Sequence, residues 1–333
     1  MKTMIRELGQ LSVGFPHNSA KHGKGRLHVP TLNLLQGIDI HFKKERRLDI
    51  ALVKNLPIAL IFLPAADIPT FVRNGKVDLG ITGLDQILEH AAGIEHGHEK
   101  RSQLQTCSLE KGACKMLMEL NYGACELKVQ VPASGPLKSP ADLIGGTVCT
   151  SFVNLTRQYF SKLECQAGSN KPNKLSTKIV ELSGSVEAAC ALGVADGVVD
   201  LVESGETMIA AGLKDIATVA KSQAVLIKSP KSSKQGLITL IASRIRGFMR
   251  AENVYLCQCN VPPGKLECVR KITSGQQAST VIRPIEGGWQ SMSTLVSKKD
   301  VALIMDKLYD AGASDILLLE VENARTGPQH ALF

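Results

Sequence analysis

The segment from Ser183 to Leu213, SGSVEAACALGVADGVVDLVESGETMIAAGL, constrains this chain more than any other. Val186, Ala189, Cys190 and Leu192 recur at helical spacing and Gly193 closes that helix, after which Val198, Val199, Leu201 and Val202 form a short apolar run suited to a buried strand. Glu203-Ser204-Gly205-Glu206-Thr207 follows, with Thr207 expected to cap a helix through Met208–Ala211 that Gly212 ends. A buried strand that runs into a small-residue turn and a helix start makes an anion site, because the first-turn N–H groups have no intrahelical partner. The class is therefore α/β, and phosphate is the natural ligand of the turn.

Acid lies beside that site. Asp200 sits inside the apolar strand and Glu203 at its end, where negative charge repels a phosphate unless it meets another part of the same ligand. Ribose hydroxyls or a bridging Mg²⁺ suit both carboxylates. The bland alternative is a surface turn with a charge on either side. The full string reads Glu187, Gly193, Ala195, Val198, Asp200-Leu201, then Ser204-Gly205-Glu206-Thr207-Met208. Position for position it resembles the signature of ATP phosphoribosyltransferase, the first enzyme of histidine biosynthesis.

Composition agrees with a small-molecule enzyme. With 333 residues and 44% hydrophobic side chains the chain can bury cores for two or three domains. Only 4% of residues are aromatic, which argues against platforms that stack nucleic-acid bases. The net charge of +8 and a pI near 9.0 come from dispersed Lys and Arg, a balance that draws nucleotides and phosphorylated sugars rather than nucleic acid. Nine cysteines without a CxxC pair read as reduced thiols of a cytoplasmic protein. His96 and His98 lack further ligands nearby in sequence and read as a solvated loop, and no apolar run is long enough to span a membrane.

Taken in order, Leu11–Pro16 is a first strand, Val29–Leu35 a helix and Ile58–Leu63 a buried strand; a helix opens at Asp67-Ile68-Pro69 and ends at Gly75. Val77–Gly83 echoes the central segment, with Asp78 aligned on Asp200, Leu79 on Leu201, Thr82 on Ser204 and Gly83 on Gly205. Two such units suggest two α/β lobes presenting loops to one cleft. His90 to Glu119 is polar and irregular and is expected to be disordered. Glu126–Pro132 alternates as a strand crossing to the second lobe, and Thr147–Thr150 is a strand whose following Ser151 is expected to cap a helix. Ile216–Val219 and Ala224–Ile227 return the chain, and Leu237–Ala251 is an amphipathic helix. The remainder reads β-α-β-β-α-β, a ferredoxin-like module without a catalytic cluster. The expected domains are residues 1–125 with 215–250, then 126–214, then 251–325.

The resemblance extends these readings. It implies a two-lobed periplasmic-binding-protein-like catalytic part and a C-terminal ferredoxin-like domain that binds histidine and stabilises a homo-oligomer, from dimer to hexamer. It implies that N1 of ATP is joined to C1 of 5-phosphoribosyl 1-diphosphate, giving 1-(5-phosphoribosyl)-ATP and diphosphate, with Mg²⁺ but no protein metal cage. Glu187, Asp196, Asp200, Ser204, Gly205, Glu206 and Thr207 would bind the sugar, with Asp200 and Glu203 as catalytic carboxylates. Lys24-Gly25-Arg26-Leu27 matches the family's Lys-Gly-Arg-Leu element, although His17–Gly23 delays it. Lys24, Arg26, Arg47, Asp78, Thr82, Gly83, Thr150 and Ser151 are the expected ATP contacts, and Ser279, Thr280, Ala313 and Ser314 the expected histidine contacts. The rival from another class is a non-catalytic two-lobed sensor of nucleotides or sugar phosphates.

Overall fold

Apolar runs separated by glycine-ended helices leave strands buried on both faces, a pattern that favours parallel pairing with helices on either side. The computed structural model describes residues 10–16, 26–43, 48–97, 114–168, 175–182, 184, 186–273, 280–282 and 287–325. They form two compact units, Met1–Asn33 with Ile40–Ile238, and Leu34–Asp39 with Thr239–Phe333.

In the larger unit, β1 (Leu11–Pro16) pairs in parallel with β3 (Ile58–Leu63) and β4 (Leu79–Gly83). With β2 (Ile50–Leu52), β5 (Lys115–Glu119) and β11 (Ala224–Lys228) they build a sheet in the order β2-β3-β1-β4-β11-β5. A second sheet pairs β7 (Thr147–Thr150) in parallel with β8 (Lys178–Glu181) and β9 (Gly197–Val202). The antiparallel strands β6 (Cys125–Pro132) and β10 (Leu213–Ser222) complete it in the order β10-β6-β9-β7-β8. These sheets are the two lobes. Because β10 belongs to the second sheet, the chain returns to the first only after Gln223, later than residue 215.

The lobes repeat one plan. β3-β1-β4-β11 corresponds to β8-β7-β9-β6, three parallel strands and then an antiparallel one. This correspondence corrects the expected internal alignment. Asp78 lies just before β4 and accepts a hydrogen bond from Ser12 N at 2.9 Å; Asp196 lies just before β9 and accepts one from Thr147 N at 2.8 Å. Asp78 thus matches Asp196, not Asp200. The string Val-Asp-Leu surrounds both Asp78 and Asp200, so local pattern alone cannot say which aspartate starts a strand and which lies inside one.

The expected disorder over 90–119 is also corrected at both ends. α3 (Leu84–Gly97) continues past His90, and Met116-Leu117-Met118 lies within β5, which pairs with β11. α1 (His28–Gly37) and α2 (Ile68–Arg73) belong to the first half of the chain, with Pro69 in the first turn of α2. α4 (Val153–Gln166) covers one face of the second sheet, where Leu127, Val129, Phe152, Leu155 and Phe160 pack. The one-turn α5 (Ala188–Ala191) and α6 (Glu206–Ala210) lie against the other face, over Cys149, Val198 and Leu213.

The smaller unit carries most of α7 (Gln235–Ala251), then β12 (Val254–Val261), α8 (Leu266–Ile272), β13 (Thr280–Ile282), β14 (Gln290–Ser297), α9 (Val301–Asp310) and β15 (Ser314–Glu320). The order β13-β14-β12-β15, antiparallel throughout, is the ferredoxin-like arrangement. Cys257, Cys259, Val261, Met292 and Leu308 form its core. The eight described cysteines of the chain are free thiols, and no described helix is long and apolar enough to cross a membrane.

Asp78 is a structural clamp. Its carboxylate also accepts hydrogen bonds from the Ser12 hydroxyl at 2.8 Å and the Ser232 hydroxyl at 2.7 Å, and pairs with Lys234 at 3.3 Å. Burial works to raise its pKa, but the bonds from Ser12 and Ser232 and the Lys234 charge hold it below the usual 3.8. A depressed carboxyl contributes stability above its unfolded pKa and loses it as pH falls through the folded value. Asp78→Ala is therefore expected to cost roughly 2–3 kcal/mol in urea unfolding at neutral pH, with the difference from the parent closing in acid. Turnover per folded molecule should be unchanged.

Candidate active site

Gly197, Val198 and Val199 are buried at the start of β9, and the strand emerges through Asp200 to the exposed Glu203 and Ser204. Gly205 then turns the chain at φ +84°, a left-handed conformation that favours glycine, with no crowding at its Cα. The helix starts at Glu206, so Gly205 occupies the cap position and Thr207 lies within the first turn, which corrects the expected Thr207 cap. α6 has only 5 residues, and its dipole is correspondingly small. The turn keeps its capacity for anions through local N–H groups and the exposed Ser204 and Thr207 side chains. Ser204 Oγ accepts only a long bond, 3.4 Å, from Glu206 N.

Asp200 is the electrostatic outlier. Burial pushes its carboxyl up to about 6, against a hydrogen bond from Leu201 N at 2.8 Å, and the Glu187 charge adds to the rise. Lys128 lies opposite it across the β6–β9 ladder, but that ammonium is held by Asp215 at 2.8 Å and Glu126 at 3.5 Å. Among the described residues Asp200 has no salt-bridge partner. Glu187 and Asp200 thus form an uncompensated pair of acids beside the turn.

A cleft of about 620 Å³ opens between the lobes. Leu84, Glu119 and Gln223 line it from the first lobe, Glu126, Lys128 and Lys221 from the crossing strands, and Val202 and Glu203 from the end of β9. Lys221 pairs with Glu126 at 3.1 Å and is 81% exposed, so its charge remains available to a ligand. Sequence reasoning missed both Lys128 and Lys221. Alternation along β6 and β10 was the available signal, but it does not reveal which face meets the cleft.

Several expected nucleotide contacts are committed elsewhere. Arg26 Nη2 binds Asp85 Oδ1 at 2.5 Å, while Nη1 donates to Gly123 O at 3.1 Å and touches Cys125 Sγ. Asp85 is fully buried and also accepts from Ser222 Oγ at 2.5 Å. Arg26 therefore fastens the first-lobe ends of the crossing strands. Gly83, beside this pair, has no room for a Cβ. Thr82 is buried, and its hydroxyl donates to Ala65 O at 2.8 Å. Asp78 and Asp196 lie at the starts of their strands, at the opposite ends from the cleft. Thr150 is buried, donating to Val199 O at 2.7 Å and accepting from Phe152 N at 2.9 Å. Ser151 is exposed but does not cap α4, whose cap position is Phe152; the Asn154 and Leu155 N–H groups are taken by Glu89 at 2.8 and 2.9 Å. Lys24, Arg47 and Ser279 lie outside the described residues.

In the smaller unit Ala313 is buried and Ser314 begins β15, beside a cavity of about 460 Å³ that also meets Met305, Asp306, Tyr309 and Asp315. Thr280 is on β13, at the other edge of the sheet. Three strand spacings, about 14 Å, separate those edges, so one subunit does not bring Thr280 to Ser314.

Comparison with known proteins resolves the choice between enzyme and sensor. The family model described as ATP phosphoribosyltransferase matches residues 64–247, and the model described as HisG, C-terminal domain, matches residues 251–323. The chain is 48% identical over 303 residues to an ATP phosphoribosyltransferase of Yarrowia lipolytica, covering 91% of this chain and 94% of that one. It is 46% identical over 304 residues to that of Saccharomyces cerevisiae, with the same coverage. The chain belongs to the ATP phosphoribosyltransferase family. Among solved structures, the ATP phosphoribosyl transferase (HisG:HisZ) complex from Thermotoga maritima aligns with a TM-score of 0.51 at 20% identity, covering 71% of this chain and 97% of that one, a likeness of fold. The matches support the enzyme, and a sensor without turnover is not favoured.

The raised pKa of Asp200 has a measurable consequence. Its folded value, about 6, exceeds the unfolded 3.8, so ionisation favours the unfolded chain; the penalty is absent below 3.8, grows up to about 6 and is constant above. Asp200→Asn should therefore gain up to ~3 kcal/mol of stability near pH 7.5, and that gain should vanish toward pH 4. The same variant should lose 100-fold or more in kcat, on the order of 3 kcal/mol of transition-state stabilisation. Loss of stability together with activity at pH 7.5 would make Asp200 an ordinary core residue.

Proposed function

We propose that the cleft transfers a phosphoribosyl group with the sugar seated on the β9–α6 turn. The reaction is the family's: N1 of ATP attacks C1 of 5-phosphoribosyl 1-diphosphate, and 1-(5-phosphoribosyl)-ATP and diphosphate leave, the first step of histidine biosynthesis. The observation that carries the site is the uncompensated Asp200 carboxylate beside the left-handed Gly205 turn. Ser204, Gly205, Glu206 and Thr207 hold the 5-phosphate through main-chain N–H groups and hydroxyls. Asp200 and Glu203 face the ribose, holding its hydroxyls and stabilising positive charge as C1 gains oxocarbenium character. The Glu187 charge opposes ionisation of Asp200, which a cationic ligand offsets.

Lys221, 81% exposed, supplies a cation for the polyphosphate, a role first expected of Arg26. The family resemblance assigns Lys24 and Arg47 to the same phosphates. No covalent nucleophile is required, because alignment of N1 with C1 and exclusion of water supply the catalysis. Mg²⁺ fits as a companion of the diphosphate: Glu187 and Asp200 are a repelling acid pair that a cation relieves. No described group of three or more His, Cys, Asp or Glu side chains could hold a metal, so diphosphate oxygens and water would complete the ion's shell. When bound, the ion neutralises the departing diphosphate.

The smaller unit is proposed to bind histidine. Tyr309, 75% exposed, and the acids Asp306 and Asp315 around the 460 Å³ cavity suit an imidazole ring and an ammonium group, with Ala313 and Ser314 at its base. The apolar Ile282, Leu317 and Leu319, exposed on its sheet, support assembly into a homo-oligomer, dimer to hexamer. Free thiols at all eight described cysteines support a cytoplasmic setting.

Two measurements check these assignments. Thr207→Val should raise the KM for the diphosphate sugar about tenfold in a diphosphate-release assay, in the range expected for one phosphate contact. An unchanged KM removes Thr207 from the site. Asp306→Asn should raise the histidine concentration for half-inhibition roughly tenfold, corresponding to about 1.4 kcal/mol, without changing uninhibited turnover. Unaltered inhibition places the effector elsewhere.

A further inference from the structure

α3 belongs to the first lobe by sequence and to the second by packing. It follows β4 directly; its first residue, Leu84, lines the cleft, and the next, Asp85, clamps Arg26 and Ser222. One turn further on, Glu89 reaches the second lobe. Its Oε1 accepts Asn154 N at 2.8 Å and its Oε2 accepts Leu155 N at 2.9 Å, so one carboxylate satisfies two first-turn N–H groups of α4. Asn154 Nδ2 donates back to Glu89 O at 3.4 Å.

The packing around this contact is close. Ala92, 4% exposed, lies in the second lobe's core with Leu127, Val129, Phe152 and Leu155, and Leu88 packs against the same cluster. A Cβ on Gly93 would come within 2.8 Å of Asn154 Nδ2, so glycine permits the helices to approach. α3 is consequently a third bridge between the lobes, beside the crossings at β6 and β10.

From the end of α4 a short chain of bonds leads to the candidate catalytic acid. Phe152 N donates to Thr150 Oγ1, which donates to Val199 O, and Val199 precedes Asp200 in β9. Whatever fixes α4 thereby fixes the strand that carries Asp200 relative to the wall around Leu84 and Asp85.

We infer that Glu89 is a positioning residue for phosphoribosyl transfer, which sets the spacing between the cleft walls by occupying the N-terminus of α4. The inference rests on the sugar lying at the β9–α6 turn. That turn is entirely in the second lobe, so a change in lobe spacing leaves sugar binding intact and misaligns the two reactants.

The discriminating experiment measures kcat, the KM for the diphosphate sugar and rescue by acetate in Glu89→Ala and Glu89→Gln. In Glu89→Ala, kcat per site able to bind the sugar should fall 10- to 100-fold with KM within twofold. Acetate, a carboxylate that can refill the vacated N–H groups, should restore kcat several-fold in this variant and leave the parent unaffected. Glu89→Gln keeps one acceptor oxygen and should lie between the two; if the alanine variant does not fold, a reduced kcat at unchanged KM in the glutamine variant supports the inference. An unchanged kcat in whichever variants fold, or a KM that rises as kcat falls without acetate rescue, overturns it. Failure of the sugar assignment is read separately, from Thr207→Val, because that variant leaves α3 and α4 untouched.

Discussion

Parallel strands end at the same edge of their sheet, and each lobe has three of them. That constraint puts the end of β4 and the end of β9 at the cleft, and puts Asp78 and Asp196 at the far ends of the same strands. Asp78 and Asp196 anchor the far edge, and the candidate site residues lie toward the cleft edge. The antiparallel neighbours β11 and β6, each supplied after a crossing between lobes, close the plan in both halves.

The cleft edge is electrostatically unfinished. Asp85 is buried but carries Arg26, and Glu164 is buried but accepts the N–H groups of Ser176 and Thr177 at 2.8–3.1 Å. Asp200 has only Leu201 N, and a nearby acid. An acid left in this condition destabilises the free protein and is stabilised by a ligand that presents hydroxyls or a cation, which is how a binding site differs from a satisfied core. The same contrast separates Lys234, fixed on Asp78, from the exposed Lys221.

The sequence made the central turn legible because its elements are local: an apolar strand, a glycine with positive φ, and hydroxyls beside it. The ferredoxin-like order was legible for the same reason, through alternating strands and amphipathic helices in succession. What escaped depends on distant partners. Arg26 looks like a free cation until Asp85 is found 59 positions away, and Glu89 looks like a solvated helix residue until α4 is found 65 positions away. Thr150 and Thr82 carry the residue type expected of ligand contacts, yet backbone carbonyls take both hydroxyls. The Asp78–Asp200 alignment failed by register, since strand position is fixed by pairing with β1 and β7 rather than by the neighbouring aliphatics.

The central claim is that the phosphorylated pentose docks on the bend after β9. Amide hydrogen exchange of the full chain, with and without saturating 5-phosphoribosyl 1-diphosphate and Mg²⁺, tests it most directly. Slowed exchange concentrated between Val202 and Gly212 is the predicted result. Unchanged exchange there, with protection confined to another part of either lobe, would contradict the account.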